Sequence, residues 1–374
     1  MIKLDNLTKT FATLRGTVTA VDRVSLEVPA GEICVLLGPS GCGKTTTLKM
    51  INRLIMPSSG KIFINGKDTD AYDVVDLRRS IGYVIQQIGL FPNMTVEDNI
   101  CVVPDLLGWD RAKSRKRAAE LLAMVALEPS SFLKRYPKEL SGGQQQRVGV
   151  IRALAADPPV LLMDEPFGAI DPINREIIQD EFLKMQDQIR KTVMFVSHDI
   201  DEAVKMGDRI AIFRDGRLEQ FDTPDNVLAH PVNAFIASFV GRDRTLKRLR
   251  LVKVADAMRR LAPAIGLETA VTDALRLMDE HAQPMLVVSD AEGRPCGYVA
   301  CDLLEGRPGI VSEHRRDLPA TVDLDEDLRS AVSLMFAHDM RWLACVDSRG
   351  LFRGCVTQED ITQLLGDRRR SDSR

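Results

Sequence analysis

Histidine is scarce in this 374-residue chain, five in all, and none sits at ligand spacing, which argues against a zinc site. The seven cysteines are odd in number and include no CxxC pair. Free, mostly buried thiols in a reducing cytoplasm are therefore expected rather than a disulfide framework. No apolar run approaches the roughly eighteen residues that cross a bilayer, and the polar opening MIKLDNLTKT has no signal-peptide core. Any membrane role is expected to come through a partner. A large net charge is missing too: it is −3, which gives no global reason to expect nucleic-acid binding. What remains is the composition of a soluble globular protein, 45% hydrophobic and too long for one ordinary core, so two or three domains are expected.

Over the first 240 residues, short apolar runs alternate with helical patterns. ICVLLG, PVLLMD and TVMFVS each read as a buried strand followed by a turn or helix, which predicts a mainly parallel α/β sheet. A helical subdomain is expected at about 87–157, with RAKSRKRAAELLAMVAL as its clearest piece and a basic stripe that reads as a solvated face. At 241–260, GRDRTLKRLRLVKVADAMRR carries eight basic and two acidic residues and reads as a linker or helix into a second domain. Residues 261–366 hold a diverged repeat. Each copy runs helix, strand, Asp-containing turn with Gly, strand, helix, and two such copies are expected to pack together because one alone buries little. The last residues, 367–374, read as a basic tail.

The chemistry begins at Gly38-Pro39-Ser40-Gly41-Cys42-Gly43-Lys44-Thr45, which follows the strand ICVLL and fits the P-loop pattern in the context that pattern requires. Gly41 and Gly43 let backbone N–H groups curl around a polyphosphate at a helix N-terminus. Lys44 can reach the β- and γ-phosphates, the Thr45 hydroxyl can ligate Mg²⁺, and Thr46 can add a hydroxyl to the α-phosphate. ATP and Mg²⁺ are the expected ligands.

PVLLMDEP delivers Asp164 and Glu165 at the carboxyl end of a strand, where open α/β sheets bind ligands. Asp164 is expected to hold Mg²⁺ and Glu165 to polarise the attacking water; the alternative is two acids that cap the next segment. Gln86 follows the strand IGYVI, where a neutral amide can touch both Mg²⁺ and water. His198 follows TVMFVS and can bond the γ-phosphate. A lone histidine after a strand is usually structural, and the order of the other segments turns this one toward function.

Between these segments lies LSGGQQQR, with no acid and no metal ligand. The order P-loop, strand-end Gln, LSGGQ, strand-end Asp-Glu, GAID, strand-end His resembles the nucleotide-binding domain of ABC transporters, over roughly residues 1–240. The resemblance implies an ABC-type P-loop ATPase whose domains pair head to tail as a homodimer. Ser141, Gly142, Gly143 and Gln144 would then complete the partner's ATP site in trans, where a helix N-terminus favours an anion. Asp171 would link the two sites, Phe11 would stack on adenine, and LFPNMTVEDNI would grip a coupling helix of a transmembrane permease.

RRSIGYVIQQIGLFPNMTV and RYPKELSGGQQQRVGVIRALAADPPVLLMDEPFGAIDP look like the importer ATPases for quaternary-amine osmoprotectants such as glycine betaine, choline, carnitine or proline betaine. The C-terminal repeat agrees, since it resembles the tandem CBS modules typical of that group. A fold of α/β type followed by an α+β CBS pair is the consequence. The resemblance also implies an extracytoplasmic substrate-binding protein and a peripheral location at the cytoplasmic face of the cell membrane. Thr357 and Asp360 match positions used for an adenine nucleotide, including a cyclic dinucleotide; the alternative is a pair that only dimerises or packs. The basic stretches 242–250 and 368–374 suggest approach to anionic lipid at low salt. The remaining alternatives are an ABC import ATPase for a different small solute and a non-transport ABC ATPase.

Overall fold

The computed structural model describes residues 1–374 except 15, 87–88, 169, 260–263 and 372–374, and leaves the side chains from 365 onward undescribed. The start of the expected helical subdomain, Ala169 of GAID, the join between linker and repeat, and the basic tail fall on those residues. The chain divides into two compact units, Met1–Gly241 and Arg242–Arg374.

In the first unit, Ile33–Leu37, Val160–Asp164 and Thr192–Val196 are buried at every position, as strands covered on both faces must be. They form the middle of a six-stranded sheet ordered Arg217–Asp222, Arg209–Arg214, Ile33–Leu37, Thr192–Val196, Val160–Asp164, Ile81–Val84. All neighbours are parallel except the edge pair Arg217–Asp222 and Arg209–Arg214. The carboxyl ends of the parallel strands therefore open on one side, and the loops leaving them carry the chemistry.

A second, antiparallel sheet has the order Gly16–Val28, Ile2–Thr13, Ser59–Ile64, Lys67–Asp68. The expectation of a mainly parallel sheet did not include it. The signal was present, because Ile2 and Leu4 are buried while Lys3 and Asp5 are exposed, the alternation of a strand with one wet face. One apolar cluster joins both sheets to the helix Lys44–Ile51, including Ile2, Leu4, Leu36, Leu48, Met194 and Phe213.

Helices Val96–Leu106, Arg111–Met124 and Gly142–Leu154 supply the helical region. The basic stripe of Arg111–Met124 lies opposite its buried face of Ser114, Ala118, Leu121 and Leu122. Arg115 pairs with Glu97 at 2.5 Å and Arg117 with Glu120 at 3.8 Å.

The second unit begins earlier than its linker-like composition suggests. Leu249, Val252, Val254 and Ala257 are buried in the core of the second repeat copy. Each copy has a short leading strand, a helix, two further strands and a closing helix. In the first, Ile265–Gly266, Met285–Ser289 and Pro295–Ala300 form the sheet; in the second, Thr321–Asp323, Trp342–Val346 and Phe352–Thr357 do. The turns match as well: Asp290 accepts the N–H groups of Glu292 and Arg294, and Asp347 those of Arg349 and Leu351. Val287, Ala344 and Cys355 share one cluster between the copies, and Tyr298 meets Trp342 edge-on at 5.4 Å.

All seven cysteines are free thiols, and Cys34, Cys42, Cys101, Cys345 and Cys355 are buried. Among the described residues no helix is long and apolar enough to cross a membrane.

Candidate active site

The loop from the strand Ile33–Leu37 to the helix Lys44–Ile51 is shaped by glycine. Gly43, at φ +101°, lies so close to the neighbouring strand that a Cβ would come 2.3 Å from the Ala20 carbonyl oxygen. Lys44 is 6% exposed, and its ammonium donates to the carbonyls of Gly38 at 2.6 Å and Pro39 at 2.9 Å. A buried cation held by the loop's own carbonyls is a charge available to an anion seated in that loop. Ser40 and Gly41 are exposed at its rim, Cys42 is buried with its thiol pushed up by burial, and Thr46 is half-buried on the helix.

The Thr45 hydroxyl donates to Asp164 Oδ1 at 2.8 Å. Asp164 is 5% exposed, and burial raises its carboxyl above the ordinary range while the Thr45 bond, Lys49 and Lys44 oppose that rise. An anion held in a site that disfavours it is suited to a cation. Among the described residues no cluster of three or more His, Cys, Asp or Glu could hold a metal. One carboxylate and one hydroxyl nevertheless fit Mg²⁺, which keeps few protein ligands and takes the rest from water and phosphate.

Glu165 follows Asp164 at φ +47°, a left-handed conformation unusual for its type, and its N–H donates to Val196 O at 3.2 Å. The turn carries its carboxylate to two other strand ends. Gln86 Nε2 donates to Glu165 Oε2 at 2.8 Å, and His198 Nδ1 stands 3.8 Å from Glu165 Oε1. His198 is exposed.

Phe11 is 38% exposed on the strand Ile2–Thr13, with the Lys9 ammonium 5.0 Å from its ring. It pairs with Val18, two residues from the Ala20 carbonyl that abuts Gly43, so its hairpin runs beside the P-loop.

The remaining predicted residues stand apart. Ser141 caps Gly142–Leu154 by accepting from Gln144 N at 3.3 Å, while its own N–H donates to Gln144 Oε1 at 3.0 Å. Ser141 and Gly142 are exposed, and Gly143 is half-buried beside Ile178. Asp171 is exposed and caps Pro172–Ile189, with bonds from Asn174 that hold its carboxyl below the ordinary range. Among the described residues no hydrogen bond joins Ser141–Gln144 or Asp171 to the P-loop of the same chain. In the second unit, Thr357 Oγ1 donates to Asp360 Oδ2 at 2.7 Å and accepts from Asp360 N at 3.1 Å, while Arg259 pairs with the same carboxylate. Both groups are engaged within their own fold.

Three side chains beneath His198 were not anticipated from sequence. Glu202 is 8%, Gln179 3% and Ser197 2% exposed. Gln179 Nε2 donates to Glu202 Oε1 at 2.9 Å and the Ser197 hydroxyl donates to Glu202 Oε2. Asp199-x-x-Glu202 has the spacing of a helix cap, a signal that hides the buried role of its second acid.

The family described as ABC transporter matches residues 21–168. The osmoprotectant import ATP-binding protein OsmV of Salmonella typhimurium is 56% identical over 368 residues, 98% of this chain and 96% of that protein. The glycine betaine/carnitine/choline transport ATP-binding protein OpuCA of Bacillus subtilis is 44% identical over 371 residues, covering 98% and 97%. Among solved structures, the dimeric post-hydrolysis state of the ATP-binding cassette MJ0796 bound to ADP and Pi is 38% identical with a TM-score of 0.54, over 60% of this chain and 99% of that one.

Proposed function

The chain belongs to the ATP-binding subunits of osmoprotectant-importing ABC transporters, and from that premise we propose how its residues divide the work. It hydrolyses ATP to power import of quaternary-amine osmoprotectants through a separate permease. The convergence of Gln86 and His198 on Glu165 carries the assignment of roles. Lys44 and the Gly38–Thr46 backbone hold the phosphates, and Phe11 stacks on adenine. Thr45, Asp164 and Gln86 hold Mg²⁺, which when bound neutralises charge on the transferring phosphoryl group. Glu165 orients the attacking water and accepts its proton, and His198 bonds the γ-phosphate.

Ser141, Gly142, Gly143, Gln144 and Asp171 act on the partner's nucleotide in a head-to-tail homodimer. The exposure of Ser141, Gly142 and Asp171 supports this reading, since capped helix starts facing solvent are free to receive a second chain. ATP-driven closure and hydrolysis-driven opening move the permease, which receives solute from an extracytoplasmic binding protein. The subunit sits peripherally on the cytoplasmic face of the membrane.

The second unit regulates the first. Its resemblance to tandem CBS modules supports ligand sensing, with Thr357 and Asp360 offered to an adenine or cyclic dinucleotide once Arg259 lets go. Anionic lipid is the second reading, supported by exposed Arg242; within the same stretch Lys247 is paired with Asp243 at 2.8 Å and Arg248 is 2% exposed.

Uptake of labelled glycine betaine and choline, at low and high osmolarity, in cells carrying wild type or Glu165→Gln tests the function. Osmotically stimulated uptake that the variant abolishes is the expected result. Uptake that the variant leaves unchanged, in cells with no other importer, rejects it.

A further inference from the structure

Glu202 is a buried carboxylate, with nothing to hydrolyse and no solvent to face, that accepts from two side chains on different elements. Ser197 belongs to the turn that presents His198, and its N–H is anchored to Leu36 O at 3.0 Å. Its hydroxyl also accepts from Asp199 N at 3.0 Å, so one oxygen fixes both neighbours of His198. Gln179 belongs to the long helix Pro172–Ile189, whose cap is Asp171. Eight residues separate the two, about 12 Å along the axis at roughly 1.5 Å per residue.

We infer that Glu202 is a positioning residue that ties the His198 turn to the helix opened by Asp171, so that seating of the partner at Asp171 sets where His198 stands. This rests on the roles proposed above for His198 and Asp171. The geometry requires two acceptors at one buried point: the Ser197 hydroxyl and the Gln179 amide both donate there, and removing the carboxylate strands both donors away from water. A carboxylate supplies two equivalent oxygens in fixed separation. A carboxamide in its place supplies one, and serves only if Gln179 turns its own amide over to present oxygen.

That asymmetry defines the test. The full-length chain is assayed for Mg²⁺-dependent ATP turnover as wild type, His198→Ala, Glu202→Ala, Glu202→Gln, Gln179→Ala and the double variants His198→Ala/Glu202→Ala and Glu202→Gln/Gln179→Ala. Circular dichroism and ATP affinity are recorded for each. A misplaced His198 is expected to lower kcat by up to about 10²-fold in Glu202→Ala, because small displacements of a catalytic group carry such losses. KM for ATP should stay within about twofold, since the P-loop is untouched. Glu202→Gln should recover most of the turnover, and Gln179→Ala should reverse that recovery when the two are combined. In the His198→Ala background, Glu202→Ala should cost nothing further, because there is no longer a histidine to place.

A Glu202→Ala loss that persists in full without His198 would show a structural role alone and overturn the proposal. So would wild-type kcat in a folded Glu202→Ala chain whose His198→Ala counterpart is inactive. If Glu202→Ala fails to fold, Gln179→Ala and the double variant Glu202→Gln/Gln179→Ala decide by the same criteria, each with and without His198. Full turnover in His198→Ala would remove the role of His198 itself, and the inference with it.

Discussion

Gln86 Nε2 and Glu165 Oε2 are 2.8 Å apart, although 79 residues separate them in the chain. The bond joins two adjacent parallel strands at their carboxyl ends, and it holds the carboxylate with an amide that brings no charge of its own. Replacement Glu165→Gln preserves size and the left-handed turn but removes the proton acceptor. Turnover should fall by about 10²–10⁴-fold, while ATP stays bound. Size-exclusion chromatography with radiolabelled ATP should show a nucleotide-loaded dimer for the variant and free chain plus ADP for wild type.

The exposure of Ser141, which among the described residues has no hydrogen bond to the P-loop of its own chain, leads to a mixing experiment. Lys44→Ala and Ser141→Arg should each be inactive alone. Mixed, they form a dimer in which one composite site keeps an intact Lys44 and an intact Ser141. ATPase activity should reappear on mixing and rise with the square of concentration at low chain concentration. A mixture as silent as its components would place both residues in a site formed by one chain alone.

Asp164 sets function against stability. Burial raises its carboxyl, so the folded chain holds that proton more tightly than the unfolded chain does. Its contribution to stability is fully present below the ordinary aspartate range and is lost as pH rises through the elevated folded value. Asp164→Asn fixes the uncharged state and can still accept from Thr45. The variant should melt higher than wild type at neutral pH, with the difference shrinking toward about pH 4, and should lose Mg²⁺-dependent turnover. Thermal melts across that range, without nucleotide, check the sign.

The candidate site was legible because its parts are local patterns. The glycines and lysine of Gly38–Lys44 lie within one strand–loop–helix, and Asp164, Glu165, Gln86 and His198 each end an apolar run. What brings those ends together is the parallel order of the strands, which the alternating pattern already implied. Glu202 was not legible, because its partner Gln179 reaches it through packing of a short helix on a long one. Nothing in DIDEAV distinguishes a buried acid from a solvated one. The segment 241–260 misled in the same way: eight basic residues suggested a linker, while Leu249, Val252 and Val254 were already committed to a core.

Thr357 offers the last check, on the second unit. Its hydroxyl accepts from Asp360 N at 3.1 Å and donates to Asp360 Oδ2 at 2.7 Å, closing the start of the helix Gln358–Ser371. Asp360 is 6% exposed and also pairs with Arg259, so its charge is held by three groups. Thr357→Ala removes one acceptor and one donor and should cost about 1 kcal/mol of stability, while Thr357→Ser should cost much less. Denaturant titration of the full chain should show the loss in the transition assigned to the second unit, with basal ATP turnover unchanged. An adenine nucleotide that binds at Thr357 must compete with these bonds. Thr357→Ala should then lose the nucleotide-induced rise that wild type shows in the melting transition of the second unit, and a rise of equal size there in both would place the nucleotide elsewhere.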